Sequence, residues 1–336
     1  MKKNSTGYLL GVDVGNTKTH ALISNISGEL VGFGESSCGN YEVVGVNGFK
    51  QSINHSINCA MKMSNICKEQ IVSMGFGISG YDWPSEQAIM IEGIKSLNIN
   101  APYKFVNDVV LGILSGTSEG WGVAVDAGTG NNVRGRDKTG RIGRVTGNSV
   151  QFGEYGGAYE IIRLAMIAIT YAWSLRGPKT KLTELFMDFA GVKSEDLLIE
   201  GLAMEKIQLE QSLVKPIFDI AVDGDQVALD IIQWSARELG LNVNAVIRQL
   251  NLQKEIFEVV LIGSIFRSGD LYIEPLGKTI REFAPNAELK LLNTIPVYGS
   301  IILAAENLGL PTKKLYHTLN THPENVKLLS DIKQQG

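Results

Sequence analysis

Apolar residues in the first hundred positions fall into short dense runs parted by turn residues, which predicts alternating strands and helices. Residues 8–14 form one such run and end in Asp13-Val14-Gly15. Residues 19–24 alternate, Ser27-Gly28 makes a turn, and 30–34 completes a third strand. Phe49, Ile53, Ile57 and Ala60 then recur at helical spacing over 48–62. Residues 71–78 read as a buried strand, 85–96 as a helix and 103–106 as another strand. Asn107 or Asp108 suits the N-cap of a helix running to Ser115. The first part is therefore β-β-β-α-β-α-β-α.

The pattern restarts near Trp121. A strand at 122–126 enters the glycine-rich turn 127–132, a second strand reaches Arg136, and the turn at Lys138-Thr139-Gly140 opens a third. Helical periodicity occupies 158–173 and roughly 205–249. Residues 257–262 form a buried strand ending at Gly263-Ser264, 289–292 a later one, and 296–308 a helix with proline in its first turn. Both halves place an apolar strand before Asp-x-Gly, at Asp13 and at Asp126. That weak repeat predicts a duplicated α/β unit with a cleft between the copies. The expected division is 1–118, 119–310 and a surface-packed tail, 311–336.

Composition narrows the class. The 336 residues suffice for two cores, and 44% hydrophobic with 20% charged residues is ordinary for a soluble globular chain. The net charge of −4 and the lack of a basic-aromatic stripe argue against a nucleic-acid partner. No apolar stretch is long enough for a membrane span, and no secretory signal is read at the start. Cys38, Cys59 and Cys67 are too few and too irregular for a disulfide framework or a metal site. A cytoplasmic protein is expected.

The chemistry lies in the turns. Asp13 at a strand end, followed by Gly15-Asn16-Thr17-Lys18, makes a turn rich in N–H groups and hydroxyls that can wrap phosphate oxygens, with Lys18 adding charge. Asp13 would repel phosphate and would instead hold Mg²⁺ through water. A plain hairpin turn explains the same residues equally well. Gly128-Thr129-Gly130-Asn131 offers a second phosphate-facing turn in the matching place of the other half. Gly263-Ser264 ends a strand where an adenosine moiety could lie against the backbone.

In this order the motifs resemble the superfamily of sugar kinases, actin and heat-shock chaperone ATPases, most closely the N-acetylglucosamine kinase and BadF/BadG/BcrA/BcrD-type ATPase branch. The residues that carry the resemblance are 11–19, Asn107-Asp108, 126–131 and 261–264, and it spans roughly 8–308. It implies an α/β fold of two actin-like (ribonuclease H-like) domains with an ATP cleft between them. It also implies ATP and Mg²⁺ as cofactors, transfer of the γ-phosphate to a sugar hydroxyl, and a homodimer. Asp108 corresponds to the general base, which the helix N-terminus is expected to keep ionised. Asn107, the loop Ser79-Gly80 and Asn40 match positions that meet the sugar. Ordinary capping and turn formation account for the same residues locally.

One stretch departs from the branch. Where those kinases carry Gly-Gly-Trp-Gly and then Gly-Asp-Glu-Gly-Ser, this chain has Thr146-Gly147-Asn148-Ser149 and Gly153-Glu154-Tyr155-Gly156-Gly157. Gly147 and Glu154 are expected to contact the sugar. The cysteines, all in the first half, do not suit the iron–sulfur role of BadF-type activators. The expected acceptor is an amino sugar such as N-acetylglucosamine, and the competing readings are an ATPase that couples hydrolysis to a protein partner and a kinase for a different sugar or sugar acid.

Overall fold

A computed structural model describes residues 7–323 and 325–328. Its first sheet contains β1 (Tyr8–Val14), β2 (Lys18–Asn25), β3 (Leu30–Ser37), β4 (Ile71–Ile78) and β5 (Tyr103–Val106), in the order β3-β2-β1-β4-β5. The second contains β6 (Gly122–Ala127), β7 (Asn131–Arg136), β8 (Ile142–Arg144), β9 (Phe257–Ile262) and β10 (Ala287–Leu291), in the order β8-β7-β6-β9-β10. The two orders match position for position. In each sheet the first three strands pair antiparallel as a meander, and the central strand then pairs in parallel with the fourth. The repeat read from Asp13 and Asp126 is thus a repeat of whole topology, and both aspartates end a central strand.

The helices follow the same duplication. Between β3 and β4 runs α1 (Tyr41–Ser64), between β4 and β5 α2 (Gln87–Lys95), and after β5 α3 (Asp108–Gly116). In the second half α4 (Ala158–Trp173), α5 (Leu182–Ala190), α6 (Glu195–Ala203), α7 (Val214–Val222) and α8 (Gln226–Leu250) replace the single α1. Then come α9 (Asp270–Phe283), α10 (Val297–Asn307) and α11 (Thr312–Thr321). Helix α8 packs on β6, β7 and β8, α4 and α7 pack on α8, and Ile161, Ile217, Ile232 and Leu239 join Val125 and Val133 of the second sheet in one core.

Two differences from the expected elements have local causes. The helix expected over 48–62 is preceded by a short helical segment that Asn40 caps at Tyr41, and the two meet at a kink where Gly45 leaves helical geometry at φ 69°. The helical region expected over 205–249 is α7 and α8 after a break. Glu205 and Gly224 sit at φ 55° and 90°, and left-handed residues stop a helix.

The last helix of each unit crosses to the other. Helix α3 packs on β6 and β7 of the second sheet, while α10 packs on β1 and β4 of the first, and the two helices touch. Glycine makes the crossing close: a Cβ on Gly299 would strike the Leu111 backbone, and one on Gly75 the Ser300 carbonyl oxygen. Leu9, Leu111, Tyr298, Ile301 and Leu315 form a shared core between the halves. Helix α10, within the expected second unit, thus packs with the first sheet. Helix α11 lies on α10 and buries Leu315 and Leu319.

Candidate active site

The carboxyl ends of β1 and β6 point into one cleft of about 580 Å³ between the two sheets. Its donor wall is built from backbone. After Asp13, the Gly15 N–H donates to the Lys18 carbonyl at 3.0 Å, which closes a two-residue hairpin that leaves Asn16 and Thr17 exposed at the cleft. Opposite, the Gly128 N–H donates to the Gly130 carbonyl at 2.9 Å. The first turn of α4 locks this second turn from behind, because Ala158 and Tyr159 donate their N–H groups to the carbonyls of Gly128 and Thr129, each at 2.9 Å. A Cβ on Gly128 or Gly130 would meet nothing within 4 Å, so these glycines face open space rather than packing.

Lys18 sits differently from its expected role. Its ammonium is 3.3 Å from Glu35 across the β2–β3 pair, and His20 lies 3.0 Å from the same carboxylate. It borders the cleft with its charge already partnered.

At the acceptor end the expected residues converge, and several are committed to scaffolding. Asn40 caps α1 through a bond from the Glu42 N–H and donates Nδ2 to Asn16 Oδ1 at 2.7 Å. Gly80, at φ 81°, lies against that Asn40 side chain, and the Ser79 N–H donates to the Val14 carbonyl at 2.8 Å. Asn107, not Asp108, is the N-cap of α3: its Oδ1 accepts from the Val109 N–H and its Nδ2 donates to Asp82 at 3.2 Å. Ser79, Gly80, Asn107 and Gly147 all border the cleft.

Glu154, also expected to contact the sugar, does not line this cleft. Its buried carboxylate instead accepts from the N–H groups of Thr146, Gly147 and Asn148 and from the Thr146 hydroxyl, at 2.7 to 3.2 Å. Asn131 ties to the same segment, donating Nδ2 to the Glu154 carbonyl at 3.0 Å. Both residues hold the loop that places Gly147 in the cleft wall. Gly263, expected beside an adenosine moiety, also has a role in the scaffold. At φ 109° its missing Cβ avoids the Ala127 carbonyl, so it serves the junction of β9 with β6 and borders neither cavity. Ser264 lines a separate, mostly apolar cavity of about 600 Å³ with Ala158, Phe218, Ile265 and Leu271. The two cavities flank the Gly128–Gly130 turn, and Thr129 spans them by donating its hydroxyl to Gln211 at 2.9 Å.

Three carboxylates crowd the cleft floor. Burial first, then the charges of Asp126 and Asp82, push Asp108 up to about 7. Burial alone carries Asp126 to about 6, and Asp13 is raised by burial and by Asp108 and Asp126. The expectation that the helix N-terminus keeps Asp108 at an ordinary acidic pKa is overturned: one bond from the Val109 N–H does not offset desolvation and like charge. The set fits a hydrated divalent cation, whose charge would relieve that repulsion. Among the described residues no three His, Cys, Asp or Glu cluster tightly enough to cage a metal directly. An ion here would lean on water and phosphate oxygens, as Mg²⁺ does.

Sequence reasoning passed over Asp82, Arg134, Asn132 and Glu42. Asp82, in the loop after β4, forms an ion pair with Arg134 of β7, so the bond joins the two halves beside Asp108. Arg134 is 2% exposed, on the same face of β7 as Asn132, which lines the cleft. In the sequence Arg134 alternates in phase with Asn132 and Arg136, so the pattern gives no hint that it is buried. Asp82 carried none, since its partner is 52 residues away.

The family model for "BadF/BadG/BcrA/BcrD ATPase family" matches residues 10–291. The chain is 30% identical over 315 residues to an N-acetyl-D-glucosamine kinase of Dictyostelium discoideum, covering 89% of this chain and 98% of that one. It is 25% identical over 299 residues to an N-acetylmuramic acid/N-acetylglucosamine kinase of Clostridium acetobutylicum, covering 88% and 98%. Among solved structures it resembles a protein assigned as an N-acetylglucosamine kinase from Chromobacterium violaceum, with TM-score 0.63, 19% identity and coverage of 89% and 99%. That likeness extends to the fold, two actin-like α/β units facing one cleft.

Proposed function

We propose that this chain, which belongs to the BadF/BadG/BcrA/BcrD ATPase family, is an ATP-dependent kinase that phosphorylates a hydroxyl of a small amino sugar, of the N-acetylglucosamine kind. The observation that carries the reading is the position of Asp108. It opens α3 at the floor of a cleft whose donor wall presents two open glycine turns and whose acceptor wall presents Asn40, Ser79 and Asn107. A hydroxyl entering from the acceptor wall meets Asp108 before it meets the turns, which is the order an in-line attack on a terminal phosphorus requires.

In this reading the N–H groups of residues 16–17 and 129–130, in turns closed by the Gly15 and Gly128 N–H groups, bind the phosphates, and the apolar cavity behind the second turn receives the base. Asp108 accepts the hydroxyl proton, and its raised pKa matches a base working near neutrality. Mg²⁺, held through water by Asp13 with Asp126 opposite, would neutralise charge on the phosphates. The crossed helices α3 and α10 join units that close over the nucleotide and exclude water, with movement absorbed near 115–120. No helix among the described residues is long and apolar enough to cross a membrane, and we assign the enzyme to the cytoplasm, as a homodimer. The deciding experiment is ATP consumption coupled to an amino-sugar panel, with Asp108→Asn as the control. The variant should retain ATP binding and lose transfer by about 10³-fold; equal rates in variant and parent would remove Asp108 as the base.

A further inference from the structure

We infer that the acceptor end of the cleft selects sugars without negative charge, with Glu42 turning away acceptors that carry a carboxylate. The inference rests on the kinase reading above and goes beyond it to the charge class of the substrate.

The charged side chains on the cleft wall divide unevenly. Five are carboxylates: Asp13, Asp108 and Asp126 at the transfer point, and Glu42 and Asp82 beyond it. The basic side chains on the wall are Lys18 and His20, both at the hairpin and both engaged by Glu35, and burial lowers the pKa of His20. Two arginines lie near the acceptor end without lining it. Arg134 is spent on Asp82, and the Arg144 guanidinium lies over the Trp83 ring, 4.6 Å from its centre. Behind this wall Glu86 accepts from the N–H groups of Asp82 and Trp83 and from the Tyr41 hydroxyl, which fixes a third carboxylate next to Glu42 and Asp82.

Their mutual repulsion is already present in the cleft wall: after burial, Asp82 and Glu86 are what raise Glu42. A substrate carboxylate placed here would face Glu42, backed by Glu86, on one side and the triphosphate on the other. The polar groups that remain, on Asn40, Ser79, Asn107, Asn132 and the Gly147 backbone, are neutral donors and acceptors that suit hydroxyls and an acetamido group.

The test compares kcat/KM of the full chain on N-acetylglucosamine, N-acetylmuramic acid and the methyl ester of the latter, which keeps the bulk and removes the charge. We expect the acid to be at least about 30-fold poorer than N-acetylglucosamine and the ester to recover most of the difference. Glu42→Gln, at an exposed position, should narrow the gap severalfold, and so should about tenfold more salt, which screens exposed charge. Comparable efficiency on acid and neutral sugar would overturn the inference and leave the kinase reading standing. An ester as poor as the acid would also overturn it, by assigning the exclusion to bulk. Absence of turnover on every sugar, neutral or acidic, would overturn the kinase reading and this inference together.

Discussion

The two ends of the cleft are built from different materials. The donor end is backbone: two turns closed by the N–H groups of Gly15 and Gly128, the second with Gly128 and Gly130 facing open space because they carry no side chain. The acceptor end is side chain, and most of that side chain also supports the fold, as Asn40 and Asn107 cap helices while Asp82 bonds across the halves. The contrast separates residues that a ligand needs from residues that the ligand's neighbours need. A change at the donor end should alter binding with little effect on stability, whereas a change at the acceptor end should alter both.

The largest effect expected from this contrast is at the boundary of the two ends. Asp108→Asn should abolish transfer and yet raise the melting temperature of the ligand-free protein at pH 7.5, because it removes a buried carboxylate crowded by Asp126 and Asp82. A variant that loses activity and melts lower would mean Asp108 acts as scaffold. Next in size is a pair of glycines. Gly263→Ala forces a left-handed residue to carry a Cβ into the Ala127 carbonyl and should cost about 2–4 kcal/mol, read as a lower denaturant midpoint. Gly128→Ala meets no neighbour. It should leave that midpoint within about 0.5 kcal/mol and raise KM for ATP about tenfold. If both variants behave alike, the distinction between site glycine and scaffold glycine fails.

The same contrast explains which features are legible in the sequence. Turns announce themselves locally: a glycine-rich stretch after an apolar strand occurs at 11–19 and again at 126–131, so the residue pattern by itself locates both donor turns. The duplication shows there too, through the shared Asp-x-Gly, and the two sheets repeat it in full. Side chains that meet across the fold leave no such trace. Asp82 meets Arg134, and Glu154 turns back on its own loop rather than into the cleft. The crossing of α3 and α10 is hidden for a related reason, since periodicity reports that a helix has an apolar face but not which sheet receives it.

Glu154 gives a smaller and more specific effect. Its carboxylate receives four bonds from 146–148, and glutamine can accept fewer while adding two donors with no place to go. Glu154→Gln should therefore loosen the loop that carries Gly147, raising KM for the sugar about three- to tenfold while KM for ATP stays near the parent value. Parallel rises in both constants would extend the loop's influence to the donor end and blur the division.

The smallest effect is also the one that tests the electrostatics most directly. Asp126 titrates at about 6 in the folded chain and near the ordinary carboxylate value when unfolded. The folded state therefore holds this proton more tightly, and the associated stability is full below about pH 4 and lost as pH rises through about 6. Asp108 adds a second loss centred near 7. The ligand-free protein should accordingly lose stability between about pH 5 and 7.5 through these two groups, over a range where ordinary surface carboxylates are already ionised. Asp126→Asn should flatten that slope and gain on the order of 1–2 kcal/mol at pH 7.5, with the shift discounted for the water that reaches the cleft. It should change nothing at pH 4, where the parent carboxyl is already protonated. Saturating Mg·ATP should flatten the parent's slope as well, because a cation beside Asp13 and Asp126 lets them ionise without penalty. A parent whose denaturant midpoint is level from pH 5 to 7.5 without nucleotide would show that the carboxylates are hydrated and uncoupled. The donor end would then be a phosphate cradle with no stored repulsion for a metal to relieve.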